Sequence, residues 1–395
     1  MKRFYQTVQY KYAHIFTIDS FLYNKTFQRL ICEIQSASEH AFIYLNERSY
    51  SLVKDENLGK TVLNTAPRTV EVIRDALRIA NIVFIHSMDF SNDEIAKLTD
   101  DEAGRCVWSV WGPDLYKNNA LKARKNWIYE ILRFWYRLLR YRHICTAKNI
   151  QRQILAAEAK INKFRAICAG FEGDIAEIKK RFPDVPVCQA LYPSELFLHD
   201  IDSWKKEIEK NTEHHQKVRI LLGHCAAPVL KHEKWLKILS AVKDSVEIYL
   251  PLNYGDARYA QKIEEQAKRI FGTSAFCYRN SLSAKDYFVQ VLGKVDIAIF
   301  DVEIQNGYGN ALLLMYLGKK VYYPENSVMY RGLSQNGAAV FKTESIESID
   351  EKIWQPSPRT SENTSGNIEF CKYRLDKNTY IEQWNSVFRF LQGAD

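Results

Sequence analysis

The sequence predicts an α/β protein built from two doubly wound domains, each a mostly parallel sheet with helices on both faces. Three observations predict this. Short, nearly continuous apolar strands alternate with helix-period segments, the pattern of parallel sheets buried on both sides. The alternation stops at a charged connector, roughly 203–217, and then starts again. The chain has 395 residues, too long for one ordinary domain and comfortable for two.

In the first half, His14-Ile15-Phe16-Thr17-Ile18 reads as a strand, and Asn24 to Ser36 as a helix. Ala41 to Leu45 is strand-like. Pro67 to Ala80 carries Val70, Ile73, Leu77 and Ala80 at helical spacing, with a proline near its start. Asn81 to His86 is the next strand, and Cys106 to Trp111 another, stopped by Gly112-Pro113-Asp114. In the second half, strands are read at 218–223, 246–250, 295–300 and 320–323. Helices are read at Lys231 to Lys243, Arg258 to Phe271 and Asn310 to Gly318, and residues 376–395 read as a terminal helix that could return to the first domain. The boundaries are therefore a first domain over 1–202, a linker over 203–217, a second domain over 218–375 and the terminal helix.

Composition narrows the class. Apolar residues make up 46% and charged residues 26%, enough to bury a core. No stretch approaches ~20 uncharged apolar residues, and the start MKRFYQTVQYKYAHIF lacks the apolar centre and cleavage site of a signal peptide. The 8 cysteines are scattered without metal spacing, which suits a reduced, cytoplasmic protein. No His/Cys/Asp/Glu set has metal-ligand spacing, so neither a metal nor any other cofactor is expected.

Charge is unevenly placed. Residues 117–165 hold 13 Lys plus Arg against 2 Glu, a local +11 that leaves the rest of the chain at −3 within the net +8. Inside this segment, NWIYEILRFWYRLLRYR gathers Ile128, Ile131, Leu132, Trp135, Leu138 and Leu139 on one helical face. Arg133, Arg137 and Arg140 lie opposite. Such a helix fits the interface of an anionic membrane. The alternative is a packing helix with solvated arginines. No nucleic-acid motif accompanies it, and no nucleic-acid partner is expected.

Ligands of doubly wound sheets bind beyond the carboxyl ends of the strands. Asp19, His86, Trp111, Asp114, Gly223 and His224 all fall at such ends. Two segments of the second half enter helices through glycines, 223–235 and 304–327, the latter with Gly307 and Gly309. Glycine lets a ligand approach the backbone, and helix N-termini present free N–H groups to phosphate. His14, His86, His224 and His232 stand at strand ends or helix starts. Asp114 could equally cap the helix that follows Trp111.

Several stretches, in order, resemble one bacterial family. They are His14 and Asp19 followed by Asn24-Lys25-Thr26, the strand ending at His86, and Trp111-Gly112-Pro113-Asp114-Leu115-Tyr116. In the second half they are Ile220-Leu221-Leu222-Gly223 with His232, Pro251 with Tyr254, and Gln305 through Gly309. The family is the TDP-N-acetylfucosamine:lipid II N-acetylfucosaminyltransferases, or 4-alpha-L-fucosyltransferases, of enterobacterial common antigen synthesis. The chain departs from it at His224-Cys225, where the family tends to have Asn-Ser, and in a longer basic segment.

The resemblance implies a GT-B glycosyltransferase, with two Rossmann-like domains facing a central cleft and no metal requirement. A 4-acetamido-4,6-dideoxy sugar would pass from a dTDP donor to a polyprenyl-diphosphate-linked saccharide at the cytoplasmic face of the inner membrane. Gly223, His224, His232, Tyr254, Gln305, Asn306, Gly307, Gly309 and Asn310 are then expected at the donor, and His14, Asn24 and Trp111 at the acceptor. Asp19, His86 and Asp114 are the expected catalytic residues, and Arg133, Trp135, Arg137 and Arg140 the membrane contact. A sugar-nucleotide epimerase of the same architecture, or a non-catalytic membrane-associated sugar-binding scaffold, are the competing readings.

Overall fold

The computed structural model describes residues 10–17, 21–45, 60–63, 68–116, 142–193, 201–211, 215–347 and 362–393. Asp19 and the basic segment with Arg133, Trp135, Arg137 and Arg140, expected as a helix, lie outside the described residues. The chain forms two compact units, residues 1–194 with 380–395, and residues 195–379.

In chain order the principal elements of the first unit are β1 (Tyr10–Phe16), α1 (Phe21–Ile34), β2 (His40–Tyr44), β3 (Lys60–Leu63), α2 (Val70–Ile79), β4 (Ala80–His86), β5 (Cys106–Ser109), α3 (Arg142–Ile161), β6 (Ala166–Ala169), α4 (Glu172–Arg181) and β7 (Val187–Gln189), with two single-turn helices, Asn92–Ala96 and Asp100–Gly104, between β4 and β5. The second unit has α5 (Ile201–Lys210), β8 (Val218–Leu222), α6 (His232–Leu239), β9 (Val246–Pro251), α7 (Ala257–Phe271), β10 (Ala275–Tyr278) and β11 (Ile297–Ile299). It continues with α8 (Tyr308–Tyr316), β12 (Lys320–Tyr323), α9 (Val328–Gln335), β13 (Phe341–Lys342) and α10 (Glu362–Leu375). The last helix, α11 (Lys377–Gln392), returns to the first unit from Tyr380 onward.

The first sheet runs β3-β2-β1-β4-β5-β6-β7 and the second β10-β9-β8-β11-β12-β13, with every strand pair parallel. In both, strand order reverses beside the first strand, between β1 and β4 and between β8 and β11. That reversal opens a crevice at the carboxyl ends where ligands bind.

Burial explains the strand composition. All five residues of β2 and all four of β5 are buried, so neither strand can alternate polar and apolar residues. Helix α2 instead buries one stripe, Val70, Val72, Ile73, Ala76 and Leu77. Helix α8 is buried along Ala311 to Tyr316 and packs against α10. In the second unit, Trp235, Leu236 and Leu239 of α6 fill the core with Ile220 and Leu222 of β8, Ile248 and Leu250 of β9, and Ile263 of α7.

Helix α11 covers one face of the first sheet. Its Trp384 donates from Nε1 to the Leu191 carbonyl at 3.0 Å and meets Phe27 edge-on at 4.8 Å. Phe388 lies 4.9 Å from Tyr12. Burying two such rings contributes roughly 1.5–3 kcal/mol each.

Several elements differ from the sequence expectation. β1 begins at Tyr10, because Tyr10 and Tyr12 are buried strand positions ahead of His14. β5 ends at Ser109 and not at Trp111, since the Trp111 N–H turns away to the Asp114 carboxylate. The first part of the expected connector is helix α5. The strands β3, β6, β7, β10 and β13 were not expected; they have only 2–4 residues each.

Candidate functional site at the strand ends

In the second unit, β8 runs into Gly223, whose N–H donates to the Ile299 carbonyl at 3.0 Å beside the β8–β11 reversal. Gly223 has φ +68, and a Cβ there would lie 2.5 Å from His232 Nε2. Only glycine fits both constraints. The next loop is pinned to the β9 loop: Ala226 N donates to the Tyr254 carbonyl at 2.8 Å, and Asp256 N to the Ala226 carbonyl at 2.9 Å. Tyr254 keeps its ring 54% exposed at this rim.

Helix α8 begins beside the same loops. Its N-cap, Gly307, is left-handed at φ +70 and offers no side-chain cap. The first-turn N–H groups therefore rely on outside partners. A Cβ on Gly307 would stand 3.0 Å from His224 Nδ1, whereas one on Gly309 would meet nothing within 4 Å. The approach to the helix start is thus open on the Gly309 side. Asn310 Oδ1 accepts from Tyr287 Oη at 2.9 Å, and residues 304–310 are all half-buried.

His224 and His232 are buried, and burial first of all lowers both imidazoles to about 4; for His224 the neighbouring His232 adds to this. Both are neutral at pH 7. His224 shares a hydrogen bond with Asn306, and its buried Nδ1 has no partner. His232 Nδ1 pairs with Tyr259 Oη at 3.3 Å and its other edge faces Gly223, so it shapes the loop from beneath.

Asp301 follows β11 and is 2% exposed. It accepts from Lys231 Nζ at 2.8 Å, Lys234 Nζ at 2.9 Å and Trp235 Nε1 at 3.1 Å. Burial alone would push its carboxyl up, but the two lysines bring it below the usual range. Two cations on one carboxylate leave an excess positive charge beside the β8–β11 reversal. Nothing in the sequence pattern had marked Asp301 except its place at a strand end.

In the first unit, Thr17 leaves β1 and donates from Oγ1 to the carbonyls of His86 (3.1 Å) and Ser87 (2.6 Å) across the β1–β4 reversal. Ser87 is left-handed at φ 60 and is fixed there by its N–H to Ser109 O at 3.0 Å. Held strain of this kind is found at functional loops. Arg68 donates to the Thr17 carbonyl at 2.6 Å and pairs with Asp89 at 3.2 Å, which places a half-exposed cation at the same strand end.

The expected acceptor and catalytic residues separate here. His86 stands at the reversal. His14 is fully buried, with both ring nitrogens bonded to other histidines, so the expectation of direct acceptor contact is corrected: it presents no free ring nitrogen to a ligand. Asn24 is also buried, on α1. Trp111 is half-buried between Tyr23 (5.7 Å) and Tyr192 (4.6 Å), an aromatic group at the strand end.

The Asp114 carboxylate is engaged on every side, by Met88 N at 2.9 Å, Trp108 Nε1 at 2.7 Å and Trp111 N at 3.0 Å. Burial raises its pKa, partly offset by these donors. It ties the β4 and β5 loops together and reaches back along its own helical turn to Trp111. These three bonds give Asp114 a structural role in holding the two loops.

Comparison with known proteins places the fold and then the family. Anabaena HepE, solved in complex with UDP and glucose, is similar over 96% of this chain and 99% of its own, with a TM-score of 0.62 at 10% identity. WaaG, a glycosyltransferase involved in lipopolysaccharide biosynthesis, matches over 95% and 98% with a TM-score of 0.56 at 10% identity. A UDP-N-acetylglucosamine 2-epimerase matches over 98% and 97%, with a TM-score of 0.51 at 12% identity. The fold is of the GT-B class of glycosyltransferases. The family model described as 4-alpha-L-fucosyltransferase, glycosyl transferase group 56, matches residues 14–390. The chain belongs to that family and is a glycosyltransferase.

Proposed function

We propose that the protein transfers a 4-acetamido-4,6-dideoxy sugar from a dTDP donor to a polyprenyl-diphosphate-linked saccharide, with the donor on the second unit and the acceptor on the first. The observation that carries the donor assignment is the uncapped N-terminus of α8, behind left-handed Gly307 and beside the unpartnered Nδ1 of His224. When the sugar–phosphate bond breaks, negative charge grows on the departing diphosphate. Preorganised N–H donors at a helix start, with its positive dipole end, stabilise such charge. In this reading the helix start takes the charge, and no metal is required.

The match of HepE, crystallised with UDP and glucose, supports a nucleotide-sugar donor on a fold of this kind. An epimerase shares the fold, but the family model is that of a transferase. The acceptor hydroxyl is deprotonated by His86 or Asp19; Trp111 offers a ring face to the acceptor sugar. The basic segment with Arg133, Trp135, Arg137 and Arg140 is proposed to hold the protein at the cytoplasmic face of the inner membrane, close to a lipid-linked acceptor. Among the described residues no helix is long and apolar enough to cross a membrane.

The test is transfer by purified protein with dTDP-4-acetamido-4,6-dideoxy sugar and a polyprenyl-diphosphate-linked disaccharide. Product formation that needs the lipid-linked acceptor supports the reading. Epimerised donor without transfer would make the protein an epimerase, and inert donor with intact binding would make it a scaffold.

A further inference from the structure

Three histidines of the first unit form a buried chain. His40 Nδ1 meets His14 Nε2 at 2.9 Å, and His14 Nδ1 meets His86 Nε2 at 3.0 Å. The rings come from adjacent strands. His14 pairs in register with Phe42 of β2 and Phe84 of β4, while His40 pairs with Tyr12 and His86 with Phe16. The chain thus crosses three strands diagonally, from the amino end of β2 to the carboxyl end of β4 at the reversal.

An aromatic cage holds it. His14 stacks on Phe42 at 5.0 Å and on Phe84 at 4.8 Å; His86 stacks on Phe16 at 4.6 Å. Phe27 meets His86 edge-on at 4.5 Å, and Phe388 meets His40 edge-on at 5.5 Å. All three histidines are at most 1% exposed. The two terminal nitrogens, His86 Nδ1 and His40 Nε2, have no partner.

Proton counting limits what such a chain can be. Three neutral imidazoles carry three N–H groups. The two internal hydrogen bonds use two, so the third N–H sits at one end and a bare lone pair at the other. All three rings must therefore share one tautomer. As packing alone, the cluster leaves two buried polar atoms unsatisfied, at a cost of about 1–3 kcal/mol each.

We propose that His86, His14 and His40 act as one proton-accepting unit for the acceptor hydroxyl, with His86 Nδ1 as its entry atom; this rests on the transferase reading above. As the acceptor oxygen bonds to the sugar carbon and the sugar–phosphate bond breaks, the acceptor O–H proton moves to His86 Nδ1. The His86 Nε2 proton moves to His14 Nδ1, and the His14 Nε2 proton to His40 Nδ1. The unit then carries one extra proton, with N–H at both ends and its charge at His40. The charged groups at that end are Glu39, which favours a proton on His40, and Lys11, which opposes it; they are ion-paired at 2.7 Å. At the His86 end the facing titratable group is the Tyr192 phenol, held neutral by burial. After product leaves, the proton returns along the same path to water. Burial lowers His86 to about 3 and His40 to about 4, and His14 well below its usual value, so the resting unit is neutral. Half-buried Tyr192 rests edge-on over His86 at 5.7 Å and under Trp111, so an acceptor sugar bound at Trp111 displaces this ring to reach Nδ1.

His86 would be the catalytic residue; His14 and His40 act through it. Full-length protein labelled with ¹⁵N-histidine is measured first without substrate at pH 7. The Nε2–H tautomer shared by His14, His40 and His86 is expected; an imidazolium among them, mixed tautomers or a shared Nδ1–H form overturns the unit. Proton inventories of transfer in H₂O–D₂O mixtures come next. Wild type should give a curved inventory, from several protons in flight. His40→Phe should lower kcat by roughly tenfold, within the scale of general base effects, leave the donor KM unchanged and straighten the inventory. A His40→Phe protein that merely melts earlier, with the same kcat and inventory per folded molecule, assigns the chain to packing. If that variant does not fold, the tautomers and the wild-type inventory decide. Transfer by wild type with a linear inventory would sink the relay and leave the transferase reading standing. Absence of any transfer would sink the latter.

Discussion

At the residue scale, buried titratable side chains set the response to pH. His14, His40, His86, His224 and His232 are all lowered by burial, with His40, His224 and His232 at about 4 and His86 at about 3. The unfolded chain takes up these protons near pH 6.5 while the folded chain does not. Stability therefore falls as pH drops from about 6.5 to 4, by up to about 1.4 kcal/mol per pH unit for each group. Asp174 works in the opposite direction. Burial pushes it up to about 8, even though Tyr116 Oη donates to it at 2.7 Å. It stays protonated when folded and ionises when unfolded above about pH 4, so its contribution is lost as pH rises towards 8. The apparent Tm should peak near pH 6.5–7. Asp174→Asn should remove the alkaline decline and leave the acid limb, as calorimetry across pH 4–9 would show. An unchanged alkaline limb in the variant contradicts the assignment of Asp174.

Asp114→Asn belongs to the same scale. An amide cannot accept from Met88 N, Trp108 Nε1 and Trp111 N together, so one buried donor is orphaned at a cost of about 1–3 kcal/mol. For a unit of about 200 residues that is roughly 2–4 °C of Tm per kcal/mol. Thermal melts should show this drop with turnover per folded molecule preserved. A variant that melts normally but fails to transfer would restore a catalytic Asp114. The sequence left both roles open because the three donors come from two loops and a strand, and their convergence has no local pattern.

At the scale of elements, the helix start at Gly307 is where the donor reading can be tested without unfolding the protein. Gly309→Val adds atoms to open space, so the variant should fold and lose stabilisation by dTDP. Wild type should gain about 2.7 kcal/mol at 100 times Kd, read as a thermal shift in EDTA. Gly307→Val is a weaker test, because φ +70 and the nearby His224 make it fold poorly. Undiminished dTDP binding by folded Gly309→Val would remove the donor from this helix.

The basic segment is the second element with a test. Changing Arg133, Arg137 and Arg140 together to Glu should release the protein from anionic vesicles in sedimentation. Wild-type binding should weaken with salt, since exposed charges are screened beyond roughly 8 Å at physiological ionic strength. Equal vesicle binding by the triple variant would make the segment a packing helix. The long apolar strands and the glycine-led helix were legible because period and punctuation are local signals. β6, as Ala-Ile-Cys-Ala, was not, because alanine carries little strand preference and only the sheet around it supplies the pairing.

At the scale of the whole molecule, two α/β units, each with its strand order reversing beside its first strand, follow from the alternation of apolar strands and helices. That much was legible. The chain of His40, His14 and His86 was only partly so. Each histidine sits in a period-2 aromatic strand, with Tyr12-x-His14-x-Phe16 beside His40-x-Phe42-x-Tyr44, which shows that they share sheet faces. The order of strands β2-β1-β4 that joins them is a tertiary fact. His40 carries no local signal of a site, because it opens its strand rather than ending it.

The central claim is glycosyl transfer from a dTDP-sugar to a polyprenyl-diphosphate-linked acceptor, with the leaving diphosphate held by protein groups and no metal. The most direct measurement follows product by chromatography with purified protein, both substrates and excess EDTA. The account predicts transfer at the same rate with and without EDTA, and none when the lipid-linked acceptor is omitted. Transfer abolished by EDTA and restored by a divalent cation would contradict it.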